Sequence, residues 1–460
     1  MPTSLPAGPY RTLALANGTE IPYYIIPFDE EGRCVGPQTR RHLVEHAGGF
    51  SDIFMFSHGW NNDWTVATQR YESFIEGFMK MRQEQGIPLP DGYKPLLVGI
   101  FWPSAVLVSD DEQAPTIAAG DPNAAMDAAV AADGAAVADI ARNLRAEDRE
   151  RFYQLAQSDA LDEAEALDLA RIMQPLYAGG QDELGVAAPA PEDLVAAWKA
   201  SAATHEPEGD PEDFGTVGGG GEGGDAGKAG AGEAGAGGGI QAAGFFGKIR
   251  DLARNAIRGT TVWMMKDRAG VVGARGVSPL LVDLLAAGNA RVHLIGHSYG
   301  GKVMLSALSV PPALPRKVHS MLLLQPAVSH LCFADEVPLN HNPGGYRVAL
   351  GRVERPILTT FSRNDVALTK AFHLAIVRPS DLGEMQIAAD GEPPTWFAAL
   401  GGFGPRRAGE KLIDMQLPPT SYTFDAGAPI YGLRGDATIF GHGDISNTST
   451  WWALHHLVRQ

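Results

Sequence analysis

The residues whose types and spacing could do covalent chemistry centre on Ser298, in the run RVHLIGHSYGGKVML. Gly296, His297, Ser298, Tyr299 and Gly300 form a G-x-S-x-G pattern, and glycine two residues either side of a serine permits a sharp strand-to-helix turn. A serine that attacks an acyl carbon also needs a base, an acid to orient that base, and N–H donors for the oxyanion. RPILTTFSRNDVAL places Asp365 just past an apolar run, where it either orients an imidazole or caps a helix starting near Val366. Asp335 and Asp381 are weaker rivals for this role, because no clear strand ends directly before either. Downstream of Asp365 lie His373, His442, His455 and His456. His442, in IFGHGDISNTSTWW, is flanked by glycines in a loop that can bring its ring over a sheet edge, and it is the favoured base. His373 sits on a helical run near the acid's own strand, and His455 and His456 fall in a C-terminal helical run, one expected packed and the other solvated.

The earlier run FMFSHGWNNDW puts His58 and Gly59 after another apolar strand. Backbone N–H groups in such a loop can face the serine, and those of Trp60 and Tyr299 are the expected oxyanion donors. The plainer reading is an ordinary turn with His58 satisfied by its neighbours. His58, Trp64 and Trp102 are candidates for a substrate pocket; for Trp60, Trp64 and Trp102 the other reading is core packing at the sheet edge.

These residues need elements to hold them. TLALANGTEIPYYIIPFD reads as two strands joined at Asn17-Gly18, a two-residue hairpin signal. SDIFMFSHG and KPLLVGIFWPS read as strands buried on both faces, with helices over PQTRRHLVEHAG and over TVATQRYESFIEGFMKMRQEQG, the latter stopped by Gly86. Beyond the middle of the chain the same alternation resumes: GVSPLLVDLLAAG as helix, RVHLIG as strand, GKVMLSALSV as helix, then KVHSMLLLQPAVS and RPILTTFS as strands. SYTFDA is expected as the last strand and STWWALHHLVRQ as the last helix. Buried strands alternating with helices predict an α/β fold, a mostly parallel sheet covered on both faces.

Between the two halves the composition changes. Residues 110–240 carry 27 Asp/Glu against 7 Lys/Arg, a net of −20 within a chain of net charge −17, so the rest is close to +3. Ala-, Glu- and Leu-rich runs with helical spacing dominate, and 214–239 holds 14 glycines in 26 residues. Such a stretch cannot bury enough apolar surface to offset its ordering entropy, so a flexible linker is expected. The division this predicts is a core first part at 1–105, an acidic, mostly helical cap at 106–262, and a core second part at 263–460. GFFGKIRDLARNAIRGTTVWMM is a basic amphipathic helix, packed on the sheet or, on a second reading, touching lipid at an interface.

The acidic balance excludes a general nucleic-acid binder, which needs a basic face. Two cysteines, Cys34 and Cys332, exclude a disulfide framework. No basic n-region with an apolar run opens the chain, and no uninterrupted apolar stretch approaches ~20 residues, so a cytoplasmic protein is expected, with signal-less secretion also open. No P-loop, dinucleotide fingerprint or Cys/His metal cluster is present, so neither metal nor other cofactor is expected.

With FSHGWNND, GHSYGG, SRNDVAL and FGHGDI in hand, the chain resembles the α/β-hydrolase family, nearest to bacterial esterase- and lipase-like members with an HGxN loop. The resemblance covers 1–105 and 263–460 and implies a nucleophile elbow at Ser298 with the order Ser298, Asp365, His442. What it implies is a serine esterase acting on a small ester or a lipid. A catalytically silent interaction module, or a lipase effector touching membrane lipid, are the other readings.

Overall fold

A computed structural model of the chain describes residues 5–14, 18–104, 134–158, 161–177, 188–204, 240–372, 393–425 and 427–459. Its strands are β1 (Arg11–Ala14), β2 (Glu20–Pro27), β3 (Asp52–Ser57), β4 (Pro95–Phe101), β5 (Arg291–His297), β6 (Ser320–Leu324), β7 (Ile357–Phe361), β8 (Lys411–Asp414) and β9 (Ile430–Arg434). They form one sheet in the order β1-β2-β4-β3-β5-β6-β7-β9-β8. Only the β1–β2 pair is antiparallel; the others are parallel. This is the mostly parallel α/β sheet that the alternating pattern predicts.

Every residue of β3, β4, β6 and β7 is buried, because helices cover both faces. The period-2 alternation of a strand sorts these side chains into two cores. Ile53, Met55, Val98, Leu294 and Met321 pack with α1 (Pro37–His46), α8 (Ser278–Ala286) and α9 (Tyr299–Ser309) on one face. Phe54, Phe56, Leu97, Ile295 and Leu322 pack with α2 (Trp64–Glu84) and α10 (Thr448–Val458) on the other. Asp63 starts α2 by accepting from Val66 N–H at 2.7 Å, and Asn447 closes a capping box on α10.

A third core belongs to the helices of the acidic segment: α3 (134–143), α4 (Arg149–Ala156), α5 (Glu163–Met173), α6 (Pro191–Thr204) and the first half of α7 (Ile240–Val271). Ile140, Phe152, Leu169, Trp198 and Ile257 are buried there together. Further along α7, Met265 and Ala269 have passed into the core on the sheet. The boundary expected at 262–263 therefore falls inside a continuous helix, which belongs to both cores. The amphipathic run packs accordingly: Leu252 and Ile257 are buried, against the helical segment rather than the sheet, while Arg254 and Arg258 are exposed.

Other expectations shift locally. The β1–β2 ladder ends at Ala14↔Glu20, with 15–19 between, so the connection is longer than a two-residue turn; 15–17 lie outside the described residues. SYTFDA is not a strand. Its alternation is real, with Tyr422 buried, but the amides of Gln416 and Asp425 donate to the hydroxyls of Tyr422 and Tyr431 instead of to a neighbouring strand. Beside β7 lies β9 with β8 beyond it, and neither is among the strands the sequence predicts. The glycine-rich stretch 214–239 lies outside the described residues. By length and composition Leu252–Ala286 is long and apolar enough to cross a membrane, with 56% of its most apolar window buried within the fold. Counting uninterrupted apolar residues missed it because charged positions such as Arg258 and Lys266 punctuate the run.

Candidate active site

The sheet order sets where a site can form. After β3 the chain adds β4 on one side, and β5 lies on the other, so the strand order reverses between β3 and β5. Crevices open at the carboxyl ends of strands at such a point. Across those ends, the residues that follow the tips are Trp102 after β4, His58 after β3, Ser298 after β5, Gln325 after β6 and Ser362 after β7.

Ser298 turns from β5 into α9 with φ 54 and ψ −125, a left-handed conformation that costs energy for a residue with a side chain. The turn is held on three sides. Ser298 N–H donates to Leu324 O at 3.1 Å, and Ser298 O accepts from Gly301 and Ala327 at 3.0 and 3.2 Å. A Cβ on Gly300 would overlap the carbonyl oxygens of Ser57 and His58, so only glycine lets α9 start against the end of β3. Gly59 approaches from the other side; a Cβ there would lie 2.6 Å from Ser298 Cβ. The SHGWN loop and the serine turn are thus in contact.

Asp365 and His442 meet, 77 residues apart in sequence. His442 Nδ1 is 2.8 Å from Asp365 Oδ2, with both residues buried. A carboxylate only accepts, so Nδ1 is the donating N–H of this contact and Nε2 faces away from Asp365. The two roles open to Asp365 are both filled: Oδ1 accepts from Leu368 N–H at 3.0 Å and caps the helical turn, while Oδ2 takes the imidazole. The rivals among the described residues do not join them. Asp335 is exposed and ion-paired with Arg347; His456 is buried against Trp452 O and His455 half-buried on the same helix. His373 and Asp381 lie outside the described residues. The long interval before His442 includes β8 and β9, which extend the sheet by two strands.

His58 and Trp102 are corrections as pocket residues. Both are wholly buried and stacked with an interplanar angle of 7°. His58 Nδ1 lies 2.8 Å from Gly59 O, and its Nε2 accepts from Trp102 N–H at 3.3 Å; burial pushes its pKa down to about 3. A neutral, doubly engaged ring braces the loop and leaves nothing for a ligand. Trp64 opens α2 and packs edge-on against Phe101 and Tyr10, on the opposite core. Asn62 completes the loop by donating to Trp60 O at 2.7 Å. Trp60 carries its N–H next to Gly59, and Tyr299 is the first residue of α9.

Three further residues gather around His442 that sequence reasoning missed. His297 Nε2 is 2.8 Å from His442 O, and Arg70 Nη1 is 3.0 Å from His297 Nδ1. A guanidinium only donates, so His297 Nδ1 accepts and Nε2 is the N–H that reaches His442 O. Burial, and then the nearby Arg70 charge, hold the His297 pKa well below its ordinary value. Gln325 Nε2 donates to Gly441 O at 2.7 Å and to His442 O at 3.2 Å. His297 carried a signal, since it stands inside the serine motif. Arg70 carried none, being 227 residues distant.

A second serine–histidine–aspartate contact lies at the other end of the sheet. His293 Nδ1 is 2.7 Å from Ser320 Oγ and Nε2 is 2.9 Å from Asp52 Oδ1, which also pairs with Arg291 at 2.7 Å. Asp52, His293 and Ser320 are wholly buried at the amino ends of β3, β5 and β6, with regular strand backbone and no turn presenting the serine. It serves as internal bracing. Comparison of the chain with protein-family models, with curated proteins and with solved structures finds no match, so its function is read from the sheet and from the geometry around Ser298.

Proposed function

We propose that this protein is a serine hydrolase of α/β-hydrolase fold that cleaves carboxylic esters through an acyl-enzyme on Ser298. The observation that carries the reading is the buried 2.8 Å contact between His442 Nδ1 and Asp365 Oδ2, formed at the same end of the sheet as the strained Ser298 turn. The chain order Ser298, Asp365, His442 and the position of the serine at the reversal of strand order support the same fold.

In this mechanism Ser298 Oγ bonds to the acyl carbon while its proton passes to His442 Nε2, and Asp365 steadies the imidazolium so formed. The carbonyl electrons move onto oxygen. We assign the N–H of Tyr299, at the start of α9, and the N–H of Trp60, carried past Ser298 by Gly59, to that oxyanion. The tetrahedral species collapses as the alcohol leaves with the proton from His442. Water then attacks the acyl-enzyme, giving its proton to His442, and Ser298 departs with that proton as the acid is released. Every atom is supplied by ester, water and these side chains. In this reading the helical segment around the third core is the cap over the site, and a small ester or a lipid is the substrate.

The test is a fluorophosphonate probe together with p-nitrophenyl esters of graded acyl length. The expected result is covalent labelling and ester turnover in the wild type and neither in a folded Ser298→Ala variant. Turnover retained in that variant, or an unlabelled wild type, overturns the proposal.

A further inference from the structure

We infer that Arg70, His297 and Gln325 are positioning residues that hold the main chain of His442 and so keep its ring beside the Ser298 turn. This rests on the reading of Ser298 and His442 as nucleophile and base. The need arises from the loop itself. Gly441 and Gly443 flank His442, and glycine gives the backbone wide freedom. Local bonds close the turn, from Asp444 N–H to Gly441 O at 3.2 Å and from Ile445 N–H to Gly443 O at 2.9 Å. Neither fixes the turn relative to the sheet.

Past β7, Asp365 takes the His442 ring, and Ser362 Oγ and Asn364 Nδ2 donate to Ile439 O at 3.0 and 2.8 Å. The ties to the main chain of His442 itself come from two other strand tips. His297, the last residue of β5, donates to His442 O at 2.8 Å. Gln325, just past β6, donates to Gly441 O at 2.7 Å and to His442 O at 3.2 Å, and its own backbone has φ 43. That conformation is costly for a residue with a side chain, and Gln325 N–H is held in it by Thr360 Oγ1 at 2.9 Å. So the residue adjoining the nucleophile also grips the base, and one displacement cannot occur without the other.

Arg70 has a separate task. An imidazole has two neutral tautomers, and only the one with hydrogen on Nε2 can donate to His442 O. The other would set a lone pair against a carbonyl oxygen at 2.8 Å. Arg70 Nη1, 3.0 Å from Nδ1, fills the acceptor and selects the donating tautomer. The chain from α2 through β5 to the loop is therefore directional, with each link fixing the donor of the next.

The experiment compares His297→Leu, His297→Gln, Gln325→Leu and Arg70→Met in the full chain. Turnover of p-nitrophenyl butyrate and hydrogen–deuterium exchange over residues 439–446 are read together, with circular dichroism as the check on folding. A base moved by ~1 Å costs on the order of 100-fold, so His297→Leu and Gln325→Leu should lower kcat by about 10- to 100-fold with KM nearly unchanged, and loop exchange should quicken. His297→Gln, whose amide N–H can stand where Nε2–H stood, should recover most of kcat and of the protection. Arg70→Met should fall between. Full protection of 439–446 and near-wild-type kcat in both leucine variants would overturn the relay, as would a His297→Gln variant as impaired as His297→Leu. If His297→Leu does not fold, Gln325→Leu and Arg70→Met decide the matter. A wild type with no ester turnover would overturn the hydrolase reading instead, and the exchange data would still decide whether these residues hold the loop.

Discussion

At the scale of single residues, the two oxygens of Asp365 divide between backbone and imidazole, and this division makes a sharp prediction. Asp365→Asn keeps the shape and the Leu368 cap but can turn an amide N–H toward His442 Nδ1, favouring the wrong tautomer. Steady-state kinetics should show kcat lower by about 10⁴-fold with the protein still folded, as expected when a base loses its orienting carboxylate. A loss under tenfold would mean that Asp365 acts only as a cap. Ser298, Asp365 and His442 each stood out from local pattern: a serine in a glycine turn after one apolar run, an aspartate just past another, a histidine between two glycines. Which partner each one finds was not legible. Whether His58 is a site residue or a brace depends on Trp102, 44 positions away, and on burial that no local pattern encodes.

At the scale of elements, α7 joins the helical segment to the sheet, and one side chain on it ties the two. Arg268, nearly buried, reaches Asp139 on α3 at 3.1 Å, Glu30 beyond β2 at 2.9 Å and Pro103 O at 3.2 Å. Removing one partner of a buried pair costs about 3–5 kcal/mol when the other charge is left alone. Here the cost is smaller, because Asp139 keeps Arg142 at 2.6 Å and the Glu30 side chain is open to water. Arg268→Met should therefore lower the unfolding midpoint and speed hydrogen exchange in 134–204 before the sheet core responds. Unchanged exchange there would show that packing of the third core alone holds the segment. The helices of this segment were visible in the sequence from their spacing, as was its acidity. Its junction with the core, expected at 262–263, falls within two residues of where packing passes from the third core to the sheet core, between Met264 and Met265, with no break in α7 to mark it.

For the whole molecule, several imidazoles are buried neutral, and acid should find them. His58 has its pKa lowered to about 3, and His293 and His330 to about 4, in each case chiefly by burial. Below the ordinary value of 6.5 the unfolded chain takes up protons at these rings while the folded chain does not. Their stabilisation is thus complete above about pH 6.5 and is lost as pH falls toward 4. At pH 5 each such ring accounts for a loss of about 2 kcal/mol. Three of them approach the 5–15 kcal/mol typical of a whole fold, so the urea midpoint should drop steeply between pH 7 and pH 5. A midpoint flat across that interval would contradict the neutral, buried state of these rings.

The sequence by itself determined the α/β class of the fold and the neighbourhoods in which Ser298, Asp365 and His442 stand. Strand burial, helix periodicity and strand-tip residues depend on short-range pattern, which a chain carries openly. It misjudged SYTFDA because alternating burial arises wherever one face is covered, whether or not a partner strand supplies hydrogen bonds. Only the tertiary structure decided the strand order, which brings the ends of β3, β5, β6 and β7 side by side. That order alone joins Asp365 to His442, seats Gly59 on Ser298, and sets Arg70, His297 and Gln325 behind His442. These contacts bridge up to hundreds of residues, and their specificity comes from geometry at a shared sheet edge rather than from any spacing along the chain.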